Sequence, residues 1–149
     1  MCNDCKVNCK CNCNCDSCIA DILQTICNIQ TNVNNECCLN CCDRPVLGCG
    51  ETCTCCNTRP IMIYCGCCST PWSVPTTKTN ANCSTTPADC TSVFRLEKIN
   101  NCCATFRALA PCAEEGTVYP YVATDSVFTM NINCICALRC LNDTYVDCV

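Results

Sequence analysis

The chain has 149 residues, of which 28 are cysteine, and its formal net charge is −4 with no histidine. This balance argues against a nucleic-acid-binding protein, which would carry a basic patch or stripe. The absence of histidine removes most general acid–base chemistry, the histidine-activated nucleophiles and every metal site that needs an imidazole. Because the 50% hydrophobic content includes cysteine, we expect a thin apolar core that covalent cross-links supplement.

Residues 1–15 form a polar arm that is dense in thiols. Its cysteines are Cys2, Cys5, Cys9, Cys11, Cys13 and Cys15. In an extended chain, the alternation of the last four with polar residues would place their sulfurs on one side. Three interpretations stay open here: a disordered tail, a row of cross-linking thiols, or a metal-loaded segment. The opening lacks the apolar run of a secretory signal, so we expect synthesis in a reducing cytoplasm without a signal peptide.

Residues 16–149 are expected to form a single disulfide-rich domain that opens with one helix over residues 16–34. Apolar residues recur there at helical spacing, and Asp21 lies in the first turn, where the helix dipole favours an acid. The apolar stripe predicts packing against the core or against another subunit. Cys18 lies near this stripe and joins the arm cysteines as a candidate for disulfides between molecules.

Residues 35–68 form a second cysteine-dense block that contains adjacent pairs: Cys37–Cys38, Cys41–Cys42, Cys55–Cys56 and Cys67–Cys68. In an extended backbone, neighbouring side chains point to opposite faces, so such a pair can form bonds in two directions. A disulfide between the neighbours themselves would be strained, which favours bonds elsewhere. C-x-x-C spacings like those of thiolate zinc sites also occur, although so many cysteines generate them by chance. A metallothionein-like metal-binding protein is therefore the alternative function.

The remaining sequence predicts β-structure. Residues 61–64 predict a short strand, and residues 69–89 an exposed loop that the single tryptophan, Trp72, anchors. Further strands are expected at residues 93–99, 103–109, 118–122 and 128–138, the first two of them joined by an Asn100–Asn101 turn. The predicted fold class is mainly β, a compact β-sandwich-like domain with one N-terminal α-helix and a cysteine-rich arm, with α+β as the alternative.

No cysteine is singled out as a catalytic residue. A nucleophilic thiolate needs a base or a cation beside it, and a redox-active C-x-x-C needs a βαβ setting that the pattern lacks. We therefore expect no catalytic residue, no cofactor and no enzyme activity. The 28 cysteines would allow far more disulfides than one domain needs, since each contributes about 2–4 kcal/mol. The surplus points to bonds between molecules.

Two stretches carry a family resemblance: FRLEKINNCCATFRAL at residues 94–109 and INCICALRCL at residues 132–141. They resemble the most distinctive stretches of the Bacillus spore coat protein Y/Z family, which includes an exosporium basal-layer member, and of clostridial cysteine-rich exosporium proteins of the same type. The resemblance covers the last third to two fifths of the chain. Its motif cysteines are Cys102, Cys103, Cys134, Cys136 and Cys140.

The resemblance implies a structural protein that assembles with itself into a disulfide-cross-linked hexagonal lattice on the spore surface. The implied partners are further copies, in hexameric rings joined into sheets, and other spore coat or exosporium proteins. Neither nucleic acid nor membrane insertion is expected. Such proteins are made in the mother-cell cytoplasm and oxidised later. As a hypothesis, the β-domain builds the ring, while the arm from Cys2 to Cys15 bonds to neighbouring subunits.

Overall fold

The computed structural model describes residues 17–31, 56–66, 69–112, 119–147 and 149. Within them, the elements in chain order are helix α1 (Cys18–Thr31) and strands β1 (Ile61–Cys65), β2 (Val74–Pro75), β3 (Cys90–Thr91), β4 (Phe94–Asn100), β5 (Cys103–Pro111), β6 (Tyr121–Asn131) and β7 (Ile135–Cys140). The fold is mainly β with one N-terminal helix, which confirms the predicted class. No helix among these residues is long and apolar enough to cross a membrane.

Helix α1 lies within the predicted span of residues 16–34. It begins at Cys18, and the amide of Ala20 donates a hydrogen bond to Ser17 Oγ (3.2 Å), which caps its start. The predicted apolar stripe is the buried face, with Leu23 and Ile26 fully enclosed. The helix is described as far as Thr31, and residues 32–34 lie outside the described part of the chain.

Five strands form an antiparallel sheet in the order β6-β5-β4-β1-β7, and β2 pairs with β3 in a separate two-stranded sheet. Alternate residues of β1, namely Ile61, Ile63 and Cys65, are buried, as the period of two predicts. In the described register, a single residue pair, Ile61 and Phe94, joins β1 to β4. The sheet therefore consists of a β4–β5–β6 part and a β1–β7 part.

These two parts curl toward each other. Strands β6 and β7 lie at opposite edges of the sheet, yet residues 132–134 alone connect them in the chain. Such a short link requires the two edges to approach. The Cys65 Sγ in β1 lies 3.9 Å from the Met130 Sδ in β6, although two strands separate β1 from β6 in the sheet order. Helix α1 packs against β4 and β7.

The core lies where the helix and both parts of the sheet meet. Phe128 of β6 stacks on Phe106 of β5, with ring centroids 5.4 Å apart, and meets Phe94 of β4 edge-on at 4.9 Å. Offset and edge-on pairs are the favoured arrangements of aromatic rings. The buried core cluster comprises Leu23, Ile26, Ile61, Ile63, Cys65, Phe94, Leu96, Ala104, Phe106, Ala108, Ile132 and Ile135.

The predicted strand over residues 128–138 is wrong in one respect, because the structure divides it into β6 and β7. A 3-10 turn at Ile132–Cys134 separates them. The Asn131 side chain accepts a hydrogen bond from the Asn133 amide (3.0 Å), and the amide of the buried Ile132 donates to the Cys102 carbonyl (2.8 Å). This local hydrogen bonding redirects the chain while the apolar alternation continues on both sides.

Both connections that the sequence predicts, the turn at Asn100–Asn101 and the loop over residues 69–89, can be compared with the structure. Asn101 has a φ of 54°, so the expected turn between β4 and β5 uses the left-handed conformation that asparagine tolerates. In the predicted loop, Trp72 packs against the core and its amide donates to the Ile63 carbonyl (2.7 Å), which confirms the anchoring role. That loop also contains β2, which the sequence pattern did not predict.

Candidate cross-linking site

The structure describes part of the predicted set of site cysteines. Those that lie outside the described residues are Cys2, Cys5, Cys9, Cys11, Cys13, Cys15, Cys37, Cys38, Cys41, Cys42, Cys55, Cys67 and Cys68. Those that are described are Cys18, Cys56, Cys102, Cys103, Cys134, Cys136 and Cys140. The hypothesis that residues 1–15 form a cross-linking arm therefore stays a prediction.

Five cysteines lie on strand ends and turns that meet at one corner of the curled sheet, and we call this set the cysteine corner: Cys65, Cys102, Cys103, Cys134 and Cys136. Cys103 begins β5 and lies opposite Asn131, the last residue of β6. The hydrogen bond from the Ile132 amide to the Cys102 carbonyl ties the β4–β5 turn to the β6–β7 turn. The contact between β1 and β6 brings Cys65, at the end of β1, to the same place.

The cysteines of the two family motifs occur in two chemical states at this corner. Cys102 and Cys134 are disulfide-bonded. Cys103 and Cys136 are exposed and have free thiols. In each motif the first cysteine is bonded, and the next cysteine, one or two residues further along, has a thiol that faces solvent.

Cys136 owes its exposure to an irregularity in strand pairing. In the β1–β7 register, Tyr64 lies opposite Ala137, whereas Cys65 lies opposite Ile135. This shift leaves Cys136 as the extra residue of a β-bulge, on a strand at the edge of the sheet. Bulges turn a side chain away from the regular alternation, and here the buried Ile135 precedes an exposed thiol.

The other described cysteines lie elsewhere on the domain. Cys18, the first residue of α1, is an exposed free thiol, while Cys56 and Cys140 are disulfide-bonded. A further disulfide joins Cys83 to Cys90, with Cα atoms 5.8 Å apart. Sequence reasoning did not select this last pair. The two cysteines are only 7 residues apart in the segment between β1 and β4, but such a spacing does not by itself identify a disulfide.

A buried ion pair fixes the segment that precedes β1. Arg59 donates to both carboxylate oxygens of Asp143, from Nε at 2.8 Å and from Nη2 at 2.9 Å, and both side chains are only 1% exposed. Gln30, at the end of α1, accepts from the Arg59 amide (3.0 Å) and donates to the Leu96 carbonyl (2.8 Å). Helix, sheet and the chain before β1 are therefore joined through one buried polar group of residues.

The charged residues of the first family stretch have a structural role. Arg95 donates from Nε to Thr58 Oγ1 (2.9 Å) and from Nη1 to the Glu97 carboxylate (3.1 Å). Glu97 also accepts from Arg107 Nε on β5 (2.7 Å), and Arg107 Nη1 donates to the Thr124 carbonyl of β6 (2.8 Å). Burial lowers the pKa of the Arg95 guanidinium, and the Glu97 carboxylate opposes that change. These contacts bind β4, β5 and β6 to one another.

Among the described residues, no three cysteine, aspartate or glutamate side chains are grouped so that they could hold a metal ion. The chemistry available at the cysteine corner is thiol–disulfide exchange, in which a thiolate attacks a sulfur along a defined line. Exposed thiols held in fixed positions by strands and tight turns can form a disulfide with a partner thiol at the right distance when an oxidant such as dioxygen takes up the two electrons and two protons.

Comparison with known proteins identifies the family. No curated protein and no solved structure matches the chain. The family described as Spore coat protein Z matches residues 4–120. The match contains the first resembling stretch and also the cysteine-dense N-terminal half, to which the resemblance did not extend, and it ends before residues 132–141. Since it covers more than half of the chain, the protein belongs to the spore coat protein Z family, the structural proteins of the spore coat.

Proposed function

We propose that this protein assembles with itself into a two-dimensional hexagonal lattice, cross-linked by disulfides, that forms a protective and semipermeable layer in the exosporium or outer coat. The observation that carries the proposal is the presence of exposed free thiols, Cys18, Cys103 and Cys136, on a folded domain that also contains disulfides. The family membership supplies the spore surface as the setting.

The division between bonded and free cysteines supports links between molecules. Disulfides such as Cys83–Cys90 stabilise the domain by restricting its unfolded chain. An exposed thiol on a strand or at a helix start contributes nothing to that effect. When an oxidant such as dioxygen takes up two electrons and two protons from this thiol and a thiol of a second copy, the resulting disulfide joins two folded domains. Three such thiols on one domain suffice for a branched network, whereas a domain with two could form only chains or closed rings.

The order of events follows from disulfide geometry. Disulfides require Cα atoms about 4.4–6.8 Å apart, so thiols on rigid elements must be aligned before they can be oxidised. Non-covalent docking in the reducing mother-cell cytoplasm would provide this alignment, and later oxidation would fix it. Rings form from a head-to-tail contact that closes by rotation, and contacts between rings extend the sheet. Other coat and exosporium proteins are the expected partners of the finished layer.

Electron microscopy of the purified, oxidised full chain tests the lattice directly. The proposal predicts flat sheets whose diffraction has six-fold symmetry. Soluble monomers that carry stoichiometric zinc or copper would contradict it and would favour the metal-binding alternative. Elemental analysis of the same preparation distinguishes the two results.

Deletion of residues 1–15 tests the separate proposal that the arm bonds neighbouring subunits. If the arm cysteines Cys2 to Cys15 carry cross-links, sheets of the truncated protein should release more soluble protein on boiling without reductant than full-length sheets do. Equal release from both proteins would contradict the role of the arm. That result would leave the thiols of the folded domain as the source of the cross-links.

A further inference from the structure

We infer that the cysteine corner is a two-fold contact between copies, in which Cys103 of one copy bonds to Cys136 of the other and Cys136 of the first bonds to Cys103 of the second. The inference rests on the proposed function and deepens it by naming the contact, its symmetry and the thiols that close it. The partner is a second copy of this chain.

The first argument is the repeated arrangement of the two motifs. In each, the first cysteine is disulfide-bonded, Cys102 in the first and Cys134 in the second. In each, a nearby cysteine is an exposed free thiol, Cys103 in the first and Cys136 in the second. Two separate strand connections therefore meet at one corner and place the same kind of group at its surface. A pair of thiols presented together is suited to a surface that bonds to another pair.

The second argument is rigidity. Cys103 follows the left-handed turn at Asn101 and is paired on both sides, opposite Asn100 of β4 and Asn131 of β6. Cys136 lies in a bulge next to the buried Ile135. Neither thiol can search widely for a partner, so a disulfide forms only when docking brings the two sulfurs together and an oxidant such as dioxygen takes up the two electrons and two protons that the thiols lose. Positions of this kind suit a contact with one defined geometry.

The third argument is symmetry. In a two-fold contact, a residue i of one copy meets j of the other, and j of the first meets i of the second. Both thiols lie at the same corner, so one corner-to-corner contact can satisfy both through two identical bonds. A head-to-tail ring contact uses two different surfaces and would leave the two thiols of a corner unmatched. The cysteine corner therefore fits the contact that joins one ring to the next.

Complementation between two full-length variants tests the inference. Cys103→Ser is produced with 15N label, Cys136→Ser without label, and the two are assembled alone and as a mixture, oxidised and digested for mass spectrometry. Each variant alone should lack the Cys103–Cys136 bond. The mixture should regain it, always between a labelled Cys136 and an unlabelled Cys103. Wild-type protein mixed with its labelled form should give these linked peptides as often mixed as unmixed.

A control comes from the same domain. The Cys83–Cys90 bond should appear only within one isotope in every sample, because it lies inside one molecule. If ordered wild-type sheets form while Cys103 and Cys136 remain free thiols, or bond only to other cysteines, the inference is overturned and the proposed lattice stands. If the mixed-isotope Cys103–Cys136 bond forms but no sheet appears, the corner contact stands and the lattice proposal fails.

Discussion

The buried ion pair between Arg59 and Asp143 offers a quantitative test of how the domain is held together. Replacing Asp143 with alanine removes two charge-assisted hydrogen bonds and leaves a guanidinium that is 1% exposed without that carboxylate. Removal of one partner of a buried pair costs about 3–5 kcal/mol, against a typical total stability of about 5–15 kcal/mol. Asp143→Ala should therefore remove a large part of the free energy of unfolding.

Urea unfolding measures this loss, with exposed thiols alkylated so that copies do not cross-link. The single tryptophan, Trp72, packs against the core and reports unfolding by fluorescence. For a slope of about 1.5 kcal/mol per molar urea, a loss of 3 kcal/mol lowers the midpoint by about 2 M. Asp125→Ala, which removes an exposed acid from β6, is the matched control and should change stability by less than about 0.5 kcal/mol.

A double replacement separates the cost of removing one partner from the value of the pair itself. Arg59→Met combined with Asp143→Leu removes both charges and fills the space with apolar side chains, so most of the lost stability should return. If Asp143→Ala shifts the midpoint no more than Asp125→Ala does, the claim that this pair fixes the segment before β1 is refuted.

Three further changes probe other parts of the fold. Gln30→Ala leaves a buried amide and a buried carbonyl without the hydrogen bonds that Gln30 makes to them, and it should cost at least about 2 kcal/mol in urea unfolding. Gln24→Ala on the exposed face of α1 should be nearly neutral, and equal effects would contradict the role of Gln30 in joining the helix to the sheet. Asn101→Val should lower the melting temperature, because a left-handed conformation costs valine about 1–2 kcal/mol, whereas Asn101→Gly should not lower it. An unchanged melting temperature in Asn101→Val would rule out the positive φ at this residue. The double change Cys83→Ser and Cys90→Ser should lower the free energy of unfolding by about 2.5 kcal/mol, as the loop-entropy relation gives, and should not reduce cross-linking between molecules. A loss of cross-links would show that this disulfide does not lie within one molecule.

Much of the fold is predictable because strand and helix periods are local properties of the sequence. The alternation in β1 and the apolar stripe that contains Leu23 and Ile26 identify the buried faces without knowledge of the partners. The turn at Asn101 is equally local, since asparagine tolerates a positive φ. In each case the side chains of a few neighbouring residues decide the conformation.

Features that depend on distant partners were not predictable. The break between β6 and β7 depends on the bond from Ile132 to Cys102, thirty positions earlier in the chain. The ion pair between Arg59 and Asp143 joins residues 84 positions apart, and nothing near either one identifies the other. Burial of a charged pair is favourable only in the assembled core, so local composition carries no sign of it.

The sequence predicts which cysteines belong to the candidate site, but it does not predict which of them are disulfide-bonded and which are free. The motif stretches identify Cys102, Cys103, Cys134 and Cys136, but all four are the same amino acid in similar surroundings. Cys102 and Cys134 are disulfide-bonded, whereas Cys103 and Cys136 are free thiols. Sequence spacing does not show this division, and it does not show the bulge at Cys136, which arises where β7 pairs with β1.

We propose above that folded domains of this protein are joined to one another by disulfides. The most direct measurement boils oxidised assemblies of the full chain in SDS, with and without reductant, and quantifies the monomer by gel densitometry. We expect high-molecular-weight ladders and almost no monomer without reductant, and nearly complete conversion to monomer with it. Release of the monomer without reductant would contradict the proposed disulfides between domains, because it would show that non-covalent contacts alone hold the assembly.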